Sequence, residues 1–270
     1  MGSPLRGESA MSVYQATARN FAGDTENRIH SDEVAAQFGF AGALVAGAAV
    51  FGHMTRPLVE ALGTDWLANW TADVRFLKPA YHGDTLTIHH EVTRGEHTVR
   101  CHARGVLLAE LTSTSGDTSE STPSVVGAGA AIDERPEIHW DNVVVGEPFP
   151  AWTWSPDAIA NAESAAQVND DLDCYRNGVI HPNAILGTAN SAFTRRYLLP
   201  AWIHVGSTVR FRRLLRVGDA IEVRTVPTRK WRRKGHEFVS LDIAYLVDGA
   251  VATEIRHVSI FRVRSDRTPG

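Results

Sequence analysis

The sequence is poor in cysteine, with only Cys101 and Cys174 in 270 residues. Two distant thiols cannot make a disulfide framework or a cysteine-based metal site, and they suit a reducing, cytoplasmic setting. An excess of basic charge is also missing: 27 Lys and Arg against 31 Asp and Glu leave a formal net charge of -4. A nucleic-acid-binding domain is usually strongly basic, so no nucleic-acid partner is expected. The longest weakly polar run, residues 38–51, is too short and too rich in glycine to span a bilayer and reads as a buried helix, so no membrane is expected either. Residues 1–12 lack the apolar stretch of a signal peptide, and Met11 offers an alternative start. No His, Cys and Asp cluster has metal-ligand spacing, and there is no phosphate loop or dinucleotide glycine pattern. The absence of a Gly-x-Ser-x-Gly elbow argues against a serine hydrolase.

What is present supports a packed core: 43% of residues are hydrophobic and 21% charged. The chain also repeats itself. Val74-Arg75-Phe76 recurs as Val209-Arg210-Phe211, and each Phe is followed seven residues later by Gly-Asp, at Gly83-Asp84 and Gly218-Asp219. Gly42-Ala43-Leu44-Val45 and Gly178-Val179-Ile180-His181 open apolar stretches upstream of the two strands. A fixed offset of half the chain implies two similar units. The expected division is 1–111, a linker at 112–140 that is rich in small residues, and 141–270. The first 135 residues carry a net charge of -6 and the remainder +2, so the second half is the better resting place for an anionic ligand group.

Each half reads as a long, weakly polar helix beside strands of alternating polarity. In the first half, strands are expected at 13–19, 73–77, 85–92 and 98–111, and helices at 32–38 and 43–62. In the second half, helices are expected at 156–167 and 184–198 and strands at 206–212, 220–225, 237–247 and 251–263. This is an α+β arrangement of antiparallel sheet and helices. A sheet wrapped around one central helix is a hotdog unit, and two tandem units make a double hotdog. A fused pair could act as a monomer or as a homodimer.

The densest chemistry lies in Gly23-Asp24-Thr25-Glu26-Asn27-Arg28-Ile29-His30, followed by Gly39-Phe40-Ala41-Gly42 and a helix start at Val45-Ala46-Gly47. A carboxylate and an imidazole that reach one water can activate it and return its proton. The unpaired N–H groups of a helix start favour developing negative charge. This segment resembles the hydratase motif of MaoC-like and (R)-specific enoyl-CoA hydratases, Gly-Asp-x-Asn-Pro-x-His followed by a glycine-bearing helix start. The resemblance implies reversible water addition to a trans-2-enoyl thioester of CoA or an acyl-carrier protein, with no metal or redox cofactor. It assigns water activation to Asp24 and His30 and water positioning to Asn27. It assigns the thioester oxygen to the Gly47 N–H, with Ala46 and Val45 beside it. Arg28 stands where the family has Pro, and one extra residue separates Asp24 from Asn27, which makes Glu26 a rival carboxylate.

The second half carries a decayed motif at 169–175, with Leu172 in place of Asn and Tyr175 in place of His. One active site per chain is therefore expected. His53 reads as a core residue of the first central helix, and His181 as a structural residue opening the second. Adjacent His89 and His90 must point to opposite sheet faces. The run 229–234 reads as a solvated hairpin or, through Arg229, Lys230, Arg232 and Arg233, as a contact for CoA phosphates or an acidic carrier. Two other functions remain open: a hotdog thioesterase, for which the central helix offers only Glu60 as an acid, and an acyl-binding subunit without activity.

Overall fold

The computed structural model describes residues 10–23, 25–116 and 127–264. The first half contributes β1 (Ala10–Thr17), a 3-10 turn at Arg28–His30, α1 (Asp32–Gln37), α2 (Gly47–Leu62) and α3 (Trp66–Asn69). It continues through β2 (Trp70–Phe76), β3 (Thr85–Thr93), β4 (Glu96–Ala103) and β5 (Val106–Ser115). The second half contributes β6 (Trp152–Trp154), α4 (Ala158–Ala166), α5 (Asp173–Arg176) and α6 (Pro182–Arg196). It ends with β7 (Ile203–Phe211), β8 (Ile221–Arg233), β9 (His236–Val247) and β10 (Ala250–Arg262).

The ten strands of the described residues form one sheet in the order β1-β3-β4-β5-β2-β7-β10-β9-β8-β6. The two repeat strands close the gap between the halves. β2 pairs antiparallel with β7, and Asp73 stands opposite Thr208 in the middle of the junction. Gly206 sits in that junction because an added Cβ would lie 2.8 Å from the Val74 carbonyl oxygen. Isolated bridges Leu44 to Tyr81 and Val179 to Arg216 repeat at the same offset, so each unit enters its central helix in the same way.

The central helices α2 and α6 pack against each other, with Gly52 in the contact: its added Cβ would lie 3.0 Å from Asn183 Cβ. Pro57 lies inside α2 and cannot donate to the carbonyl one turn back, that of His53. The Tyr14 hydroxyl from β1 donates to that carbonyl instead, which lets a proline survive in a buried helix.

The expected elements occur with shifted ends, and one expectation is corrected. The run at 98–111 is two strands, because Arg104 and Gly105 both adopt positive φ, 52° and 71°, and turn the chain back. Strand β5 also continues to Ser115, into residues expected to be linker. Strand β8 runs on to Arg233, so the basic run is the last part of a strand and its hairpin turn.

Candidate active site

Residues 27–30 are held by contacts to three other parts of the chain. The Asn27 side chain is buried and clamps Trp202, the residue just before β7: Oδ1 accepts from the Trp202 N–H at 3.0 Å and Nδ2 donates to the Trp202 carbonyl at 3.0 Å. Because Oδ1 faces an N–H, the end of the amide that meets His30 Nε2 at 3.3 Å is the NH2 group. On its other side, His30 Nδ1 lies 2.7 Å from the Leu44 carbonyl oxygen, which can only accept. The proton therefore sits on Nδ1, and Nε2 carries the lone pair. Asn20 donates to the His30 carbonyl at 2.8 Å, and Arg28 N–H donates to Pro200. Burial lowers the His30 pKa below the usual histidine value, partly offset by its bond to Leu44, so the ring is neutral at neutral pH.

A cavity of about 700 Å³ opens beside this pair. Asn27, His30, Val45, Ala46 and Gly47 all line it, so the expected imidazole and the expected helix start share one space. Helix α2 begins there with Ala46 as its cap. The Val45 N–H is already used, donating to the Ala80 carbonyl at 2.8 Å. The N–H groups of Ala46, Gly47 and Ala48 have no acceptor among the described residues. An added Cβ at Gly47 would lie 3.1 Å from His204 Nδ1 and 3.3 Å from the Phe76 ring, so only glycine lets these rings close on the helix start.

The expected carboxylates fare differently. Asp24 lies outside the described residues. Glu26 reaches the cavity wall, but its oxygens are held by Arg135 at 2.9 and 3.1 Å, and Arg135 also donates to the Thr194 carbonyl. Asp32 is spent on the Ala43 N–H at 2.7 Å.

The four expected cations of the basic run do not line the cavity. Lys230 donates to the Trp140 carbonyl at 2.7 Å, Arg232 stacks on the Trp140 ring and bonds Glu237, and Arg229 stacks on Trp231. Arg233 is exposed at the end of β8. The exposed cations that do line the cavity are Arg19 and Lys78, which the sequence did not single out.

Also unforeseen is a buried relay behind the cavity. His204 Nε2 lies 2.9 Å from Ser207 Oγ, which lies 3.2 Å from His257 Nδ1; His257 Nε2 lies 2.9 Å from Ser259 Oγ. Strand alternation from His257 to Ser259 was the available signal, but Ser207 is brought opposite His257 only by the pairing of β7 with β10.

Among the described residues, the decayed motif of the second half puts no histidine or tyrosine on the cavity. Tyr175 stacks on His181 with its hydroxyl unpartnered, and neither lines the cavity. Asn183 N–H donates to His181 Nδ1 at 3.0 Å, which leaves Nε2 to donate to buried Asp170 at 3.2 Å. That pair caps and anchors α6. His53 is buried in the core with both ring nitrogens unpartnered.

Comparison with known proteins gives the fold and a partial family match. Residues 1–110 match the family described as MaoC like domain. No curated protein matches the sequence. A solved structure from Chloroflexus aurantiacus J-10-fl, named as a candidate MaoC domain protein dehydratase, has a TM-score of 0.65 at 14% identity, covering 95% of each chain. A conserved hypothetical protein of Mycobacterium tuberculosis described as having a double hotdog fold has a TM-score of 0.66 at 15% identity, covering 95% of this chain and 96% of that one. A structure named as a candidate oleoyl thioesterase from Lactobacillus plantarum reaches 0.51 at 12% identity, over 95% and 98%. The chain has the double hotdog fold expected from its sequence.

Proposed function

We propose that this chain, whose first 110 residues match the MaoC like domain, adds water to the double bond of a trans-2-enoyl thioester or removes it from a 3-hydroxyacyl thioester. One observation supports this reading most: a neutral imidazole, its Nε2 lone pair held only by a long 3.3 Å contact to Asn27, lines the same cavity as a helix start with unpaired N–H groups. Water addition needs both parts. As the water oxygen bonds to C3, His30 Nε2 takes its proton, the lone pair giving up its 3.3 Å contact with the Asn27 NH2 group for the water. The electron pair of the double bond moves through C2 onto the thioester oxygen, where the N–H groups of Gly47 and its neighbours lower its energy. A proton then goes to C2, from His30 or from Asp24, and the thioester is restored. Asn27 is a positioning residue in this scheme, because its amide is fully engaged by Trp202, Ile29 and His30. Asp24 remains our choice for the second proton-handling group, since Glu26 is tied to Arg135.

The substrate carrier is CoA or an acyl-carrier protein, and Lys78 and Arg19 at the cavity are better placed for its phosphates than the run at 229–233. A thioesterase is less well supported, because Glu60, the acid of α2, is 2.9 Å from Arg56 in an i,i+4 pair. Two free thiols, at Cys101 and Cys174, suit the cytoplasm. The test is turnover of crotonyl-CoA in D2O. The reading expects a 3-hydroxy product with deuterium at C2; free CoA as the product would support the thioesterase instead.

A further inference from the structure

The cavity wall supplied by α6 is polar where an alkyl chain would call for apolar side chains. Asn183, Thr188, Asn190, Ser191 and Thr194 line it from this one helix, together with Gly187 and Ala184. The spacing places 184, 187, 188, 191 and 194 on a single stripe, with 183 and 190 at its edges. The opposing start of α2 is Gly47-Ala48-Ala49-Val50, and Gly187 faces Ala48 there, its added Cβ 4.0 Å from Ala48 Cβ. The two walls of the cavity therefore differ in kind.

The polar groups on α6 fall into two sets. Asn183 is used within the protein, donating to the Ser164 carbonyl and Gln167 Oε1, and Thr188 and Thr194 donate back to helix carbonyls. Ser191 Oγ and the Asn190 NH2 group have no hydrogen-bond partner among the described residues, and both side chains are only half-buried. Asn190 Oδ1 makes one long contact, 3.5 Å, to the indole N–H of Trp202. Trp202 is the residue that Asn27 clamps, and Asn27 touches His30. Asn190 is thus linked through Trp202 to the loop that carries His30, and Ser191 lines the same cavity.

An alkyl chain drawn along this wall would strip water from Ser191 and Asn190 and give nothing back, which is the costly arrangement for a polar group. An acyl group with its own oxygen there would replace the lost water. Sites built to hydrogen-bond a substrate oxygen reject the analogue that lacks it far more strongly than apolar pockets discriminate by size. Resting on the hydratase reading above, we propose that the acyl group taken by this cavity carries a neutral oxygen function, a hydroxyl or keto group beyond the reacting double bond, which Ser191 and Asn190 bind.

The experiment compares trans-2-octenoyl-CoA with its 5-hydroxy and 5-oxo counterparts as substrates. In parallel, calorimetry compares binding of the saturated octanoyl-CoA and 5-hydroxyoctanoyl-CoA, which needs no turnover. Wild type is expected to favour an oxygenated substrate in kcat/KM by about tenfold or more. Ser191→Ala and Asn190→Leu are expected to shrink or reverse that ratio, with the melting temperature confirming that each variant folds. Equal or better use of the plain chain by wild type overturns the proposal, as does a ratio that neither variant moves. Should no enoyl thioester turn over, the hydratase reading fails and binding decides: tighter binding of the hydroxylated thioester, lost in Ser191→Ala, sustains the oxygenated ligand. Equal binding, or no binding of either, overturns it.

Discussion

Thr208 donates a hydrogen bond to Asp73 at 2.8 Å, and the two residues are 135 positions apart, the offset of the repeat itself. Each is the other's counterpart, so the strand junction lies on the approximate two-fold relation between the units. The pair is exposed and its loss is minor: Thr208→Val is expected to cost under about 1 kcal/mol. Gly206 in the same junction is buried, and a side chain there meets the Val74 carbonyl. Gly206→Val is expected to cost about 2–3 kcal/mol in urea denaturation. Equal effects of the two substitutions would remove the junction from its place as the close contact between halves.

The Tyr14 hydroxyl supplies α2 with the donor that Pro57 lacks. Tyr14→Phe leaves the buried His53 carbonyl without a partner, at a cost of about 1–3 kcal/mol. Pro57→Ala restores a backbone N–H, so Tyr14→Phe should cost less in the Pro57→Ala background. A double-mutant cycle on unfolding free energy reads this coupling, and strict additivity would contradict it.

The buried histidines set the acid limit of stability. Burial brings His53 down to about 4 and His257 to about 3, and it lowers His181 and His204 as well. The unfolded chain then binds more protons than the folded one below the ordinary histidine value, so stability is full above about pH 6.5 and falls as pH drops. Acid-facing groups around His53 include His181, which deepens the shift, and Asp170, which opposes it. His53→Leu is expected to flatten the loss between pH 6.5 and 4, a contribution on the order of 3 kcal/mol when fully expressed. Urea midpoints measured across that range check it, and an unchanged slope in the variant would contradict it.

Lys78 and Arg19 line the cavity while the run at 229–233 does not. Lys78→Glu is expected to raise KM for a CoA thioester about tenfold with a smaller effect on kcat, and the effect should weaken as salt is added. Arg233→Glu is expected to leave KM within about twofold, as a surface charge away from the site. The reverse order would return the carrier's phosphates to the hairpin.

The repeat, the α+β class and most elements were legible because they rest on local signals: side-chain alternation, glycine turns and a fixed offset. The split of 98–111 into β4 and β5 was not, since alternation runs through Arg104-Gly105 without an Asn-Gly or Asp-Gly turn signal. Asn27 and His30 were visible in the loop sequence. Their true neighbours were not: Trp202 is 175 residues from Asn27, and Arg135 is 109 from Glu26. Those contacts are long-range and form only when the two halves pack, at β2 with β7 and at α2 with α6. The basic run could be read as a solvated hairpin or as a ligand contact, because sequence shows its charge and not the Trp140 and Glu237 that Lys230 and Arg232 meet.

The account rests on His30 being the base that faces the substrate, and the most direct measurement is the loss of enoyl absorbance from crotonyl-CoA by wild type and His30→Ala. The account predicts that wild type consumes the enoyl signal. It predicts that His30→Ala, folded by its melting temperature, loses activity by about 10²-fold or more. Hydration by His30→Ala at the wild-type rate would contradict it.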